Sequence, residues 1–423
     1  MDINISTTQK RILSVLVPLL IFFGPFSTWL ALSGWLRLPI TINIILIFIS
    51  LNILFIAFFY KIKELFQDKE DILLLLFLLF VWYSFSFGYL NQRSFNHSLS
   101  YTFSILFLFV FTKYLIRYIN FSINSINKAA LYSVITCNII VVIEWVLYNI
   151  FDKIIIRDFF LTGGPGTSNM IIYYQTFFWS VGGVGEEPGG TASLVNILFP
   201  MGLIALRNKS FLSNFIYVLL HFIAMTFLAS VAGMVFLILS LVISSFMNRK
   251  YLFAFIIVFL LTALVLFIFY EYDVAGSKDF IDKYIENINN KVTLNERNAS
   301  SSERKIKWSY ALRDWLNSPI IGNGPGYGVE QYSSGYFNTI LTLLADTGIF
   351  STLLFIGFLA LVFKKIFALE PYIRFCLLAS FVMLFLHSSV YYVYYHFPFW
   401  LLMIVIQLYY NQKENSVLKD SID

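Results

Sequence analysis

Apolar runs of about 20 residues recur along this chain without period-2 alternation, and that pattern leaves few folds open. Backbone N–H and C=O groups in lipid must be satisfied within the protein, so the runs predict an all-α polytopic membrane bundle rather than a barrel. Only 13% of residues are charged against 59% hydrophobic and 19% aromatic, too few polar groups to coat a soluble globule. Cutting at charged and Gly/Pro-rich breaks gives twelve spans near 12–33, 38–60, 71–90, 98–116, 129–150, 189–206, 211–228, 231–248, 251–270, 338–362, 372–390 and 397–411. The cut at Ser230–Gly233 matters most, because one continuous helix there would invert every later segment.

The Lys/Arg distribution supports that cut. With the N-terminus inside, the short outward loops hold only Arg37, Arg93, Lys153 and Arg157, while the cytoplasmic side collects pairs such as Lys10/Arg11, Arg249/Lys250 and Lys364/Lys365. The long polar segment 271–337 is exempt, since long loops translocate largely regardless of charge. Three regions follow: 1–270 with nine helices and the outward loop 151–188, 271–337 as a large outward loop, and 338–423 with the last three helices and a cytoplasmic tail. The first apolar run follows Lys10 and Arg11, exceeds a signal-peptide core and lacks a small-residue cleavage site, so it reads as an uncleaved anchor. The net charge of +5 reflects topology and lipid contact rather than nucleic-acid binding.

Several chemistries lack their residues. Neither Gly163–Thr167 nor Gly322–Gly328 carries the Lys of a nucleotide-binding phosphate loop. Cys137 and Cys376 lie in separate spans and predict no disulfide framework, and His97, His221, His387 and His396 form no His-x3-His pair, so no metal or other cofactor is expected. His221 reads as a packing residue. Glu144, an acid at membrane depth, is the feature a proton-coupled transporter would use, but it stands without an intramembrane Lys or Arg.

The outward segment 271–337 carries more. Phe280, Ile281, Tyr284, Ile285 and Ile288 have the spacing of an amphipathic helix. Ser300–Ser302 can cap a helix running to about Leu316, on which Arg304, Trp308, Ala311 or Leu312, and Trp315 share a face. Arg313, nine residues beyond Arg304, points the other way. Gly322, Gly324 and Gly326 form a backbone-rich turn followed by Tyr327, and its N–H groups are expected to cradle an anion with an Arg supplying bidentate charge. Asn338 then opens a helix carrying Asp346 about two turns into the membrane, a site candidate because an acid there needs a partner or a wet cavity. In the other outward loop, Glu186 and Glu187 precede Pro188 at a helix start, where an acid suits the dipole or contacts a substrate hydroxyl.

From Arg304 to Gly348 the chain resembles the shared signature of bacterial O-antigen polymerases (Wzy) and O-antigen ligases, in which Arg-x3-Trp leads to Pro-x2-Gly-x-Gly and then to His-Asn-x2-Leu-x4-Glu-x-Gly. The matching residues are Arg304, Trp308, Pro319, Gly322, Gly324, Asn338, Leu341 and Gly348, with Asp346 in the acid's place. Gly185–Ser193 likewise resembles a Glu-Pro-x3-Ala element, and Arg313-x10-Gly324 an Arg-x10-Gly pattern, of the polymerases. The ligases carry a His, implied to be catalytic, where this chain has Phe337, which favours polymerase over ligase. A lipid-linked oligosaccharide flippase is the leading non-enzyme alternative, against which stand lopsided loops and the lack of an internal repeat.

The resemblance implies inverting, metal-independent transfer of a glycan from undecaprenyl pyrophosphate to a lipid-linked repeat unit at the outer face of the bacterial inner membrane. A chain-length regulator is a further implied partner. On that reading Arg304, with Arg313 and the glycine turn, neutralises the leaving group, and Glu187, Glu186 or Asp346 orients or deprotonates the acceptor hydroxyl. Trp308, Trp315, Tyr327 and Tyr336 can stack on sugar faces.

Overall fold

The computed structural model describes residues 6–26, 37–66, 68–151, 153, 181–185, 188–245 and 299–420, with scattered positions between 256 and 289. All regular structure in them is helical. The membrane set comprises α1 (Thr7–Phe22), α2 (Leu38–Ile49), α3 (Leu51–Tyr60), α4 (Lys69–Phe87), α5 (Gln92–Tyr118), α6 (Ile123–Asn149), α7 (Pro188–Ala205), α8 (Phe211–Phe227) and α9 (Val231–Ser245). The predicted polar segment then contributes α10 (Ala299–Asn317) and the short α11 (Tyr327–Tyr332), before α12 (Thr339–Phe367), α13 (Pro371–Ser388) and α14 (Phe397–Asp420).

Six helices, α4 to α7, α12 and α13, are long and apolar enough to cross a membrane among the described residues, and α2 with α3 makes a further candidate bent by 69°. The chain is an all-helical polytopic membrane protein. The predicted 251–270 span and the amphipathic helix near 279–291 lie largely outside the described residues, and the 12–33 run is helical to Phe22. The helix expected to be capped by Ser300–Ser302 starts at Ala299, which puts those serines inside its first turn rather than before it.

The cut at Ser230–Gly233 is real. Helix α8 ends at Phe227, Ala229 takes a left-handed φ of 48°, and α9 starts at Val231. The turn lies against the start of α7, where Asn196 Nδ2 donates to the Gly233 carbonyl at 2.9 Å. An interhelical contact thus stabilises a conformation that costs a Cβ-bearing residue about 1–2 kcal/mol.

Contacts sort the helix ends into two faces. On one, Arg207 pairs with Glu370, Lys365 with Asp68, and the Tyr372 hydroxyl donates to the Leu203 carbonyl at 2.7 Å. On the other, Tyr89 N donates to the Asn323 carbonyl at 2.8 Å, His97 meets Tyr395 and Arg93 meets Glu330.

Two buried polar residues inside the bundle show how it meets them. His221 Nε2 lies 3.0 Å from Asn196 Oδ1, and its ring stacks on Phe199 at 4.0 Å, the packing role expected of it. Glu144 accepts a 2.8 Å hydrogen bond from Gly183 N, which anchors that carboxylate to a loop backbone.

Candidate functional site

The site begins with a break in α12. Gly348 has φ 78° and ψ −180°, so the helix is interrupted about two and a half turns from its start at Thr339. A broken helix leaves carbonyls and amides without intrahelical partners, and in lipid these must be met from elsewhere in the protein. The turn after α10 meets them: Asn323 N donates to the Ala345 carbonyl, Gly324 N to the Asp346 carbonyl and Ile349 N to the Pro319 carbonyl, each at 2.9 Å. Ser84 Oγ of α4 adds a 2.7 Å bond to the Asp346 carbonyl.

This docking explains the glycines. Gly322, Gly324 and Gly326 have φ of 81°, 106° and 78°. A Cβ on Gly322 would stand 2.4 Å from the Asp346 carbonyl oxygen, and one on Gly348 would stand 2.1 Å from that of Ile320.

The expected anion cradle needs correction. Gly322 N is spent on the Ser318 carbonyl and Gly324 N on Asp346, and the one anion the turn holds belongs to the protein: Gly326 N donates to Asp346 Oδ2 at 2.8 Å. The geometry assigns these glycines to holding Asp346 rather than a ligand phosphate. Tyr327 starts α11 and packs edge-on against Tyr89.

Asp346 is 2% exposed, and its second oxygen, Oδ1, is buried without a hydrogen-bond partner among the described residues. Next to it is a cavity of about 40 Å³ lined by His97, Gly326, Tyr336, Thr342, Tyr392 and Tyr395, among others. A second cavity of about 950 Å³ shares His97, Tyr392 and Tyr395 as lining residues. Its wall runs down α5 through Leu99, Phe103 and Leu108, and its polar rim includes Arg37, Asn96 and His396. Along this wall α5 becomes a π-helix over Phe103–Phe111, a distortion found mostly at functional sites.

Of the site residues singled out in the sequence, Asp346, Gly326 and Tyr336 line the small cavity and Phe337 the large one, and His97, to which sequence reasoning assigned no role, lines both. Phe337 has a left-handed φ of 54° and lines the large one, its ring 6.4 Å from Tyr392. Asn338 caps α12: Oδ1 accepts from Leu341 N at 2.9 Å and Nδ2 donates to the Ser389 carbonyl at 3.1 Å, so its amide is engaged within the fold on both sides. Glu186 and Glu187 lie outside the described residues. Gly190, shortly after them, packs against Tyr391 on the wall of the large cavity.

Helix α10 presents a second cluster. Its fully or nearly buried stripe is Lys307, Ala311 and Asp314, one step round from the predicted face. Trp308 is half-buried with its indole Nε1 unpartnered among the described residues, Leu312 is exposed, and Arg304, partly exposed near the helix start, lines neither cavity. Asp314 accepts 2.8 Å bonds from the hydroxyls of Tyr332 and Tyr336 and is a residue that sequence reasoning missed. Burial, reinforced by the bond to Asp314, pushes the Tyr332 hydroxyl up to about 12. Arg313, 57% exposed, packs between the Tyr310 and Tyr332 rings and is pushed further up by its hydrogen bond to Tyr332.

Residues 215–356 match a family model described as O-antigen ligase. The match takes in α10, the glycine turn and the start of α12, and spans about a third of the chain. It supports a place in the superfamily of O-antigen polymerases and ligases, whose members are glycosyltransferase-like enzymes, and does not distinguish the two activities. No curated protein matches the chain.

Proposed function

We propose that this chain is a surface-polysaccharide polymerase that joins undecaprenyl-pyrophosphate-linked repeat units at the outer face of a bacterial inner membrane. One observation carries the reading: a buried carboxyl with an unpartnered oxygen, Asp346, sits at a helix break on a small cavity that shares His97, Tyr392 and Tyr395 with a large one, which has an apolar wall and Arg37 at its rim. Such a cavity suits an amphiphile whose prenyl chain lies along Leu99, Phe103 and Leu108 and whose charged head meets Arg37. A flat transporter path has no need of it. Phe337 on the cavity wall favours polymerisation over ligation, since its ring takes up no proton.

In the reaction, the acceptor sugar's hydroxyl oxygen attacks the anomeric carbon of the donor glycan, and the bond to the pyrophosphate breaks with its electron pair leaving on phosphate. The configuration inverts and no metal is required, because cationic side chains carry the leaving group's charge. Arg304 and Arg313 of α10 meet that charge as substrate arrives, while Glu186 or Glu187 orients the acceptor. A 40 Å³ cavity has room for a single water, so Asp346 acts on a bound hydroxyl through water. Sugar stacking falls to Trp308, Trp315, Tyr327 and Tyr336. Both termini then face the cytoplasm, with 151–188 and 271–337 outside, and a separate chain-length regulator sets product size.

Deletion followed by surface-polysaccharide electrophoresis tests the reading. Loss of the ladder with a single repeat still attached to the lipid anchor is expected. A complete polymer stranded on its carrier would instead mean ligase, and unpolymerised repeat held on the cytoplasmic face would mean flippase. An R304A protein that inserts normally and still makes a full ladder would remove Arg304 from the leaving-group role.

A further inference from the structure

His97 separates the two cavities. Its ring leaves α5 to pack on Gly326, where a Cβ would stand 2.2 Å from His97 Cδ2 and 2.9 Å from Nε2. Gly326 in turn donates its N–H to Asp346 Oδ2. Residues far apart in sequence are thereby stacked in the order histidine, glycine, aspartate.

The two ring nitrogens differ. Nδ1 lies 2.9 Å from the Tyr395 hydroxyl, whereas Nε2 has no hydrogen-bond partner among the described residues and belongs to a ring that lines both cavities. Tyr395 also neighbours Tyr101 and Tyr394, whose own hydroxyls are 2.9 Å apart, so its hydroxyl can donate onward while accepting from Nδ1–H. With Nδ1–H donating to Tyr395, Nε2 carries the lone pair. His396 also lines the large cavity but not the small one.

We infer that His97 is a catalytic residue, the group that takes the acceptor hydroxyl's proton, with Tyr395 fixing its tautomer and Asp346 stabilising the imidazolium across the small cavity. The inference rests on the glycosyl-transfer reading and deepens it. As the hydroxyl oxygen bonds to the anomeric carbon and the carbon–phosphate-oxygen bond breaks, the proton passes to Nε2. Product departure opens the large cavity to water, to which Nε2 returns it.

Purified full-length protein in liposomes, supplied with a lipid-diphosphate-linked repeat unit, decides the matter. If the unaltered protein forms no polymer, the functional reading fails before His97 is at issue. Given an active protein, H97Q is expected to slow polymerisation about 10²–10⁴-fold, the usual range for losing an acid–base group. H97A is expected to regain at least about tenfold of its loss in added imidazole, which the 950 Å³ cavity admits. An H97Q rate within about threefold of the unaltered protein, or an H97A loss untouched by imidazole, would overturn the assignment. Where H97A does not accumulate, H97Q, which keeps a polar side chain against Gly326, decides alone.

Discussion

Helices α4 and α12 lie side by side and carry acids at both ends, and the two ends treat those acids in opposite ways. At one, Asp68 faces Lys113, Arg117 and Lys365, Asp71 faces Lys113, and Glu70 faces Lys365 at 3.0 Å. Lys113 is wholly buried and also donates to Gln407 Oε1 at 2.9 Å. At the other, roughly 28 Å away along α12 at 1.5 Å per residue, Asp346 has a backbone amide on one oxygen, nothing on the other and no ion pair among the described residues. Buried charge closed by opposite charge holds the bundle together. A buried carboxyl left open at a cavity costs stability, which is the ground for the role proposed for Asp346.

The largest expected effect separates the ends by activity. D346N keeps the carboxylate's shape without its charge, and it is expected to lower polymerisation in liposomes about 10²–10⁴-fold with thermal stability in detergent unchanged or raised. A D346N protein that melts earlier yet polymerises normally would make Asp346 a structural acid like Asp71. K113A is the reciprocal variant. Stranding Asp71 and part of the Asp68 interaction should cost about 3–5 kcal/mol, seen as a lower unfolding midpoint, while the activity per folded molecule survives.

Next in size is the stitching between the turn and the broken helix. G322A sets a Cβ 2.4 Å from the Asp346 carbonyl and forces a left-handed backbone on alanine, a penalty of at least about 1–2 kcal/mol. Because the turn holds Asp346, stability and activity should fall together here, as they do at neither end alone. Proteolysis of the α10–α12 connection would report the loosening.

How much of this was legible beforehand follows from what lies near in sequence. The all-helical membrane class and the Ser230 turn could be read because bilayer thickness imposes a run length and charge marks the ends. Asp346 could be read because an acid inside an apolar run is expensive wherever the chain goes. The break at Gly348 could not, since a lone glycine is tolerated in a helix, and only the turn docked from Pro319 to Gly324 makes it a break. Asp314 looked like any exposed acid until Tyr332 and Tyr336 folded back onto it. The cavity was hidden for the same reason: Arg37, His97, Tyr392 and His396 belong to helix ends that only the assembled bundle gathers.

Acid distinguishes the ends more gently. Burial alone would raise Asp68, but Lys113, Arg117 and Lys365 outweigh it and hold its pKa well below the ordinary aspartate value. A depressed carboxylate contributes stability that is complete above its unfolded value of about 3.9 and is lost as pH falls further toward its folded value. The unfolding midpoint should therefore hold from neutral pH to about 4 and decline below it. D68N should flatten that decline, and a profile unchanged by D68N would mean that the cations gain little from this carboxylate.

The smallest effect concerns a further unpartnered polar atom among the described residues, Trp308 Nε1. Replacing indole by a phenyl ring in W308F removes a buried donor that the fold does not use, so stability should stay within about 1 kcal/mol of the unaltered protein. If substrate supplies the missing acceptor, the apparent affinity for the lipid-linked repeat should weaken by about tenfold or less, the worth of one neutral hydrogen bond, with the maximal rate kept. An unchanged affinity would leave Asp346 Oδ1 and His97 Nε2 as the open polar atoms that substrate or water must meet, and would narrow the working end of the molecule to the walls of its two cavities.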